Sequence, residues 1–262
     1  MPLLPDLTDL RTLAASPLRL ALELRVGIEA GAMLALQPLL RLAPRGDGHP
    51  VLVFPRLLGT DLATLPLRAY LTSLGYAAAA WDQGLNLGPH HGVMPAALAR
   101  LRELRERHGR KVSLIGWSVG GLYARQLAKQ LPGDVRQVIT LGTPLTGRPK
   151  PADLWRWVEQ ATGQPFGLPE THGSLETPPP VPTTAIYSRS DGIVPWQDSV
   201  QRAGPACDNI EVESSHLGLG VHPLVLYAVA DRLAQPEGQW KPFLRDGLKA
   251  VLFPEPQRPG WF

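Results

Sequence analysis

An α/β architecture, a parallel sheet with helices on both faces, is predicted for this chain by three observations. Short runs rich in Val, Leu and Ile alternate with longer helical patterns over residues 49–141 and again over 183–234. Gly or Pro closes many of these patterns, as expected where strand and helix exchange. At one joint an apolar run stops at Gly116-Trp117-Ser118-Val119-Gly120-Gly121 and a helical pattern begins at once.

Taken in order, residues 1–48 read as an N-terminal helical extension. Leu18, Leu20 to Leu22, Val26, Met33, Leu34 and Leu36 form an apolar stripe broken by Arg19, Glu23, Arg25 and Glu29. Packing on the domain is the expected fate of that stripe, with a dimer contact or peripheral membrane contact as the other options. Gly46-Asp47-Gly48 ends the extension, and residues 49–262 form the main domain. Residues 49–55 are a Val-rich strand, 61–74 a helix closed by Gly75, and 76–81 a second, alanine-rich strand. A helix over 95–108 ends at Gly109. A strand at 112–117, a helix at 119–131 and a strand at 135–141 follow. The alternation then stops. Residues 145–182 hold many Pro and Gly residues and a short helical piece at 152–161, and read as a cap insert. Strands resume at 183–188 and 209–213, then a helix at 223–234. The Pro- and aromatic-rich residues 235–262 are expected to wrap the surface.

Composition excludes several classes. The chain has 262 residues, 44% hydrophobic and 19% charged, which suits a globular protein with a sizeable core. Net charge is only +3, and Arg100, Arg102, Arg105 and Arg107 share their helix with Glu103 and Glu106. That run is a solvated face, and no nucleic-acid partner is expected. Cys207 is the only cysteine, so no intrachain disulfide forms. The segment MPLLPDLTDLR has no basic stretch ahead of an apolar core and does not read as a signal peptide. No segment offers the roughly 18 uninterrupted apolar residues of a membrane span. A cytoplasmic protein is the expectation, with peripheral membrane contact through residues 1–48 as an option; the oligomeric state is open.

The joint at Ser118 has a mechanical reading. In Gly-x-Ser-x-Gly between a strand and a helix, the turn is so tight that the serine takes a strained backbone. Gly116, Gly120 and Gly121 supply the small residues that close approach of strand and helix requires. The Ser118 hydroxyl then stands at a helix N-terminus, where unpaired N–H groups favour a developing negative charge. The N–H of Val119 is one candidate oxyanion donor. A serine needs a base to become a nucleophile, and on this joint the partners are expected in the order serine, acid, histidine. Asp191, just past the 183–188 strand, and His216, just past the next, fit that order. Asp198 and Asp208 are rival acids, expected respectively in the following helix and ahead of the last strand at the opposite sheet edge. His222 precedes Pro223 at a helix start and reads as structural. His90 and His91 lack neighbouring ligands at metal spacing, so no metal site is predicted.

Residues 116–121, the DGIVP at 191–195 and the Ser215-His216 pair resemble the serine hydrolases of the α/β-hydrolase fold. The LGTP at 141–144 resembles their lipase-like branch. The stretches PLRAYLTSLGY, NLGP, IYSRSDGIVPW and ADRLAQPEGQW are similar to bacterial esterase/lipase-like hydrolases. The resemblance spans roughly residues 50–234. It implies about six parallel strands, with the N-terminal helices in place of two leading strands of larger members. It also implies a second oxyanion donor in the loop after the first strand, at Arg56 or Leu57. Arg56 departs from the glycine usual there; a surface course is expected for its side chain, with pairing to a carboxylate such as Asp61 or a place over the pocket as the other options.

The expected reaction is hydrolysis of a small-molecule or lipid carboxylic ester. Ser118 is the nucleophile, His216 the general base and acid, and Asp191 its orienting partner, and no cofactor is required. Trp117, Leu154, Trp155, Trp157 and Phe166 are candidate pocket residues. A thioesterase, acyltransferase or cofactor-free perhydrolase on the same triad, or a non-enzymatic binding protein, remain alternatives. An epoxide hydrolase or dehalogenase, which would need a carboxylate at 118, is disfavoured.

Overall fold

In a computed structural model, which describes residues 21–89, 92–145 and 174–256, the chain forms one six-stranded parallel sheet in the order β2-β1-β3-β4-β5-β6. The strands are β1 (Pro50–Phe54), β2 (Ala77–Ala80), β3 (Val112–Trp117), β4 (Val135–Leu141), β5 (Thr183–Ser188) and β6 (Cys207–Val212). The helices are α1 (Val26–Ala35), α2 (Gln37–Leu40), α3 (Asp61–Ser73), α4 (Val93–His108), α5 (Val119–Gln130), α6 (Trp196–Ser199), α7 (Pro223–Leu233) and α8 (Leu248–Leu252).

The strands are buried on both sides because alternate residues serve opposite faces. Val51, Val53, Ile115, Ile139 and Leu141 pack with Leu67 and Leu71 of α3 and Leu226 and Val229 of α7. Leu52, Phe54, Leu114 and Val138 pack with Leu101 and Leu104 of α4 and Leu122 and Leu127 of α5. The edge strand β2 is four half-buried alanines; they present little side chain to either core, which is why its sequence signal is weak.

Two elements start two residues earlier than expected. α4 starts at Val93, since Pro95 fits a first helical turn, where its missing N–H costs nothing. β6 starts at Cys207, so Asp208 lies inside the strand. Asp208 still serves the far edge, where it accepts from the Phe243 N–H at 2.5 Å. The predicted cap at 145–182, with its helical piece, falls largely outside the described residues, as do His90 and His91.

Residues 21–48, the described part of the N-terminal segment, form no strand and do not extend the sheet beyond β2. α1 and α2 pack on α7, and Met33, Leu40 and Ala43 join that core. The predicted stripe is only partly used: Met33 is buried but Leu34 and Leu36 are exposed, as are Leu24, Ile28, Leu39 and Leu42 outside the stripe, while Glu29 lies buried beside Met33. No helix among the described residues is long and apolar enough to cross a membrane.

A second serine–histidine–aspartate arrangement braces the opposite sheet edge. His49 Nδ1 lies 2.5 Å from Asp47 Oδ1, and its Nε2 lies 2.9 Å from Ser113 Oγ. Arg110 and Arg136 hold the other Asp47 oxygen at 2.5 and 3.1 Å. His49 and Ser113 are both 0% exposed, so no substrate reaches them. Burial pushes the His49 imidazole below its ordinary value of 6.5. Burial opposes ionisation of Asp47, but hydrogen bonds from His49, Arg110 and Arg136 outweigh it and hold the carboxyl well below its ordinary 3.8. Both groups bind protons more readily in the unfolded chain, so acid favours unfolding. His222, also lowered by burial, acts in the same sense. Urea midpoints are therefore expected to fall as pH drops below about 6.5, with Asp47 adding its share below about 3.8. His49→Gln is expected to shrink the first part of that fall; an unchanged pH slope in the variant would count against the linkage.

Candidate active site

The site is built where β3, β4, β5 and β6 end. β3 runs directly into α5 through Ser118, whose φ of 55° and ψ of −124° lie in a sparsely populated region. The glycines make this turn possible by leaving space. A Cβ on Gly120 would stand 2.6 Å from the Phe54 carbonyl and 2.8 Å from that of Pro55. A Cβ on Gly116 would run into the backbone of Gly120 and Gly121, and one on Gly121 into Thr143. The end of β1 is thus pressed against the start of α5. The Ser118 N–H donates to the Leu141 carbonyl at 2.8 Å, tying the turn to the end of β4.

Asp191 and His216 meet. His216 Nδ1 lies 2.6 Å from Asp191 Oδ2. The other carboxylate oxygen, Oδ1, accepts the N–H groups of Ile193 and Val194 at 2.8 and 2.7 Å. Ser118, Asp191 and His216 are 5%, 6% and 2% exposed. Gly142, at φ 54°, lies beside the pair: a Cβ there would be 3.1 Å from Asp191 Oδ2 and 3.2 Å from His216 Nδ1. Since Gly142 follows Leu141, to which Ser118 is bonded, Ser118 stands at the same end of the sheet as the Asp191–His216 pair.

Trp117 turns its indole under the histidine loop. Its Nε1–H donates to the His216 carbonyl at 3.1 Å, and the ring is buried against Gly220. Arg56 does not take the surface course expected of it. Its guanidinium is half-buried, lies 5.5 Å from the Trp117 ring centroid and donates to the Leu57 carbonyl at 3.0 Å. Burial pushes its pKa below the ordinary value. Leu57 is buried in the core on the α4–α5 side. Among the described residues no hydrogen bond takes up the N–H of Val119, Arg56 or Leu57. Leu154, Trp155, Trp157 and Phe166 lie outside the described residues. His222 caps α7, its side chain accepting from the Leu224 N–H.

Three supporting residues escaped the sequence analysis. Buried Asn86 holds the loop after β1. Its Nδ2 donates to the Pro55 carbonyl at 2.8 Å, its Oδ1 accepts from Gly88 N–H and Tyr123 Oη, and its backbone pairs with Leu58 and Gly59. Its signal was the NLGP stretch, a polar residue in a glycine-rich loop between hydrophobic runs. The other two are Glu23 and Glu29. Glu29 occupies a position on the apolar stripe between Val26 and Met33, and a carboxylate there is a sign of a buried partner.

The sequence matches no protein-family model and no curated protein. Solved structures do resemble it. Lipase B of Aspergillus fumigatus superposes with a TM-score of 0.57 at 17% identity, over 73% of this chain but only 54% of the lipase. Lipase BlEst2 of Bacillus licheniformis, in its mature form, gives 0.53 at 19% identity over 74% of this chain and 95% of the lipase. Naproxen esterase of Bacillus subtilis gives 0.50 at 15% identity over 80% of this chain and 98% of the esterase. At these identities the likeness is one of fold: a parallel sheet with helices on both faces.

Proposed function

We propose that this chain, which has the α/β-hydrolase fold, hydrolyses carboxylic esters through an acyl-enzyme on Ser118. The observation that carries the reading is the Asp191–His216 hydrogen bond at the sheet end that also bears a serine on a strained strand-to-helix turn. Ser118 Oγ attacks the ester carbonyl as His216 Nε2 takes its proton. The N–H of Val119 and that of Leu57 or Arg56 receive the developing oxyanion, which the start of α5 also favours. Collapse of the tetrahedral intermediate expels the alcohol, protonated by His216. Water then repeats the sequence in reverse and frees the acid. Asp191 keeps the proton on Nδ1, so that Nε2 remains the acceptor.

The substrate class, small-molecule or lipid esters, matches what the names of the similar lipases and esterases state of those proteins. The exposed Leu24, Ile28, Leu34, Leu39 and Leu42 favour a peripheral contact with lipid. Labelling of the full chain with a fluorophosphonate probe, with the adduct located by mass spectrometry, tests the nucleophile. Turnover of p-nitrophenyl esters of increasing chain length tests the reaction and sizes the acyl site. Adduct on Ser118 with ester turnover supports the reading. Folded protein that neither labels nor hydrolyses any ester in the series overturns it.

A further inference from the structure

Three side chains of one N-terminal segment grip both loops that carry the Asp191–His216 pair. Glu23 Oε1 accepts the N–H of Gly192 at 2.8 Å and that of His216 itself at 2.9 Å. Glu23 Oε2 accepts the N–H of Leu217 at 2.8 Å. Glu29 Oε1 accepts the N–H of Ser215 at 2.7 Å, and its Oε2 meets Ser215 Oγ at 2.5 Å. Arg25 donates to Ser190, to Oγ at 3.0 Å and to the carbonyl at 3.3 Å. The chain neighbours of Asp191 (190 and 192) and of His216 (215 and 217) are therefore all bonded to this segment. Both glutamates are buried, at 5% and 7% exposure. The fit is close: a Cβ on Gly218 would collide with the Glu29 carboxylate.

We infer that Glu23, seconded by Glu29, is a positioning residue for the proposed triad: its carboxylate joins the acid loop to the histidine loop and sets the Asp191–His216 geometry. The inference rests on the hydrolase reading above. An ionised carboxylate suits the task because it only accepts, on several lone pairs, and its bonds to N–H groups are charge-assisted. Burying such a charge is costly unless it is fully hydrogen-bonded, and three N–H groups meet that condition at Glu23. The arrangement spans the two loops where a 1 Å shift would lengthen the 2.6 Å Asp191–His216 contact. The carboxylate also adds negative charge next to the His216 backbone, where the imidazolium forms during each half-reaction.

The amide variants separate the two glutamates. In Glu23→Gln, one oxygen cannot serve both sites, so an NH2 must face at least one of the three N–H donors. In Glu29→Gln, the amide oxygen can keep the Ser215 N–H while its NH2 donates to Ser215 Oγ, so the loss is smaller. The experiment uses the full chain, with active sites counted by fluorophosphonate titration so that misfolded protein drops out of the rate. For Glu23→Gln, kcat per titrated site is expected to fall about 10- to 100-fold. KM is expected to stay within about 2-fold, and the fall to exceed that of Glu29→Gln. The low-field proton signal of the His216 Nδ1–H···Asp191 bond is expected to shift or broaden, which a loss of stability elsewhere would not cause. Wild-type kcat per site and an unmoved proton signal in Glu23→Gln and Glu23→Ala would overturn the inference, even if thermal stability drops. If Glu23→Gln yields no folded protein, Glu29→Gln decides by the same two readings. A wild type that neither labels nor turns over ester sinks the hydrolase reading first, and the inference with it.

Discussion

Ser118→Ala is expected to lower kcat for an ester by about 10⁴- to 10⁶-fold, with little change in KM. The size follows from the role. Without Oγ no acyl-enzyme forms, and what remains is the binding site and the oxyanion donors acting on water. KM should hold because the lost hydroxyl is small and the close contacts around Gly116, Gly120 and Gly121 do not involve the Ser118 side chain. Alanine also keeps the φ of 55° and gains no relief from it, so the thermal midpoint is expected to match wild type. Steady-state kinetics beside a melting curve check this. A variant with normal stability that retains more than about a hundredth of the activity would remove Ser118 from the chemistry.

Asp191→Asn is expected to cost about 10⁴-fold in kcat, for a reason specific to this site. Asp191 Oδ1 accepts two N–H groups, from Ile193 and Val194, and Oδ2 faces His216 Nδ1. An asparagine must turn its single oxygen to the two backbone donors, since an NH2 there would leave two N–H groups unmet. Its NH2 then faces Nδ1 and can only donate to it. The proton moves to Nε2, the nitrogen that should take the Ser118 proton, and the base is lost while the geometry stays. Asp191→Ala, which fixes no tautomer, is expected to retain more activity than Asp191→Asn. Parallel kinetics of the two variants test this; the reverse ranking would show that placement, not tautomer, is what Asp191 supplies.

The parts of this molecule that were legible in the sequence are those whose cause is local. Residues 112–117 carry a single polar side chain, the buried Ser113, because β3 is buried on both faces, and Gly116 reports the close approach of its strand to Gly120 and Gly121 a few residues on. The 183–188 strand and the pairing of Asp191 with His216 followed from the same alternation. What escaped depends on partners distant in sequence. The tetra-alanine β2 carries too little side chain to announce a strand. Arg56 read as a surface cation because its neighbour Trp117 lies across a strand boundary. His49 gave no sign that Ser113 would lie 2.9 Å from its ring. Glu23 and Glu29 read as interruptions of a hydrophobic stripe, when they are the stripe's contact with the site.

If Ser118, Asp191 and His216 act as proposed, the glutamate clasp ties their competence to the order in which the chain folds. Its contacts join residues 169 to 194 positions apart, so each closes a loop comprising most of the sheet. Such contacts carry a large chain-closure entropy and are formed after the local pairings that shorten the effective loop. The strand–turn–helix at Ser118 can assemble from its own neighbours, whereas the Asp191–His216 pair is secured only when the two distant parts of the chain dock. A refolding population would thus pass through molecules that own a finished serine turn and sheet but turn over nothing, and recovery of activity would trail recovery of secondary structure. On the proposed mechanism, activity would then be a readout of complete folding, a property written into which residues hold the loops and not into the proposed triad itself.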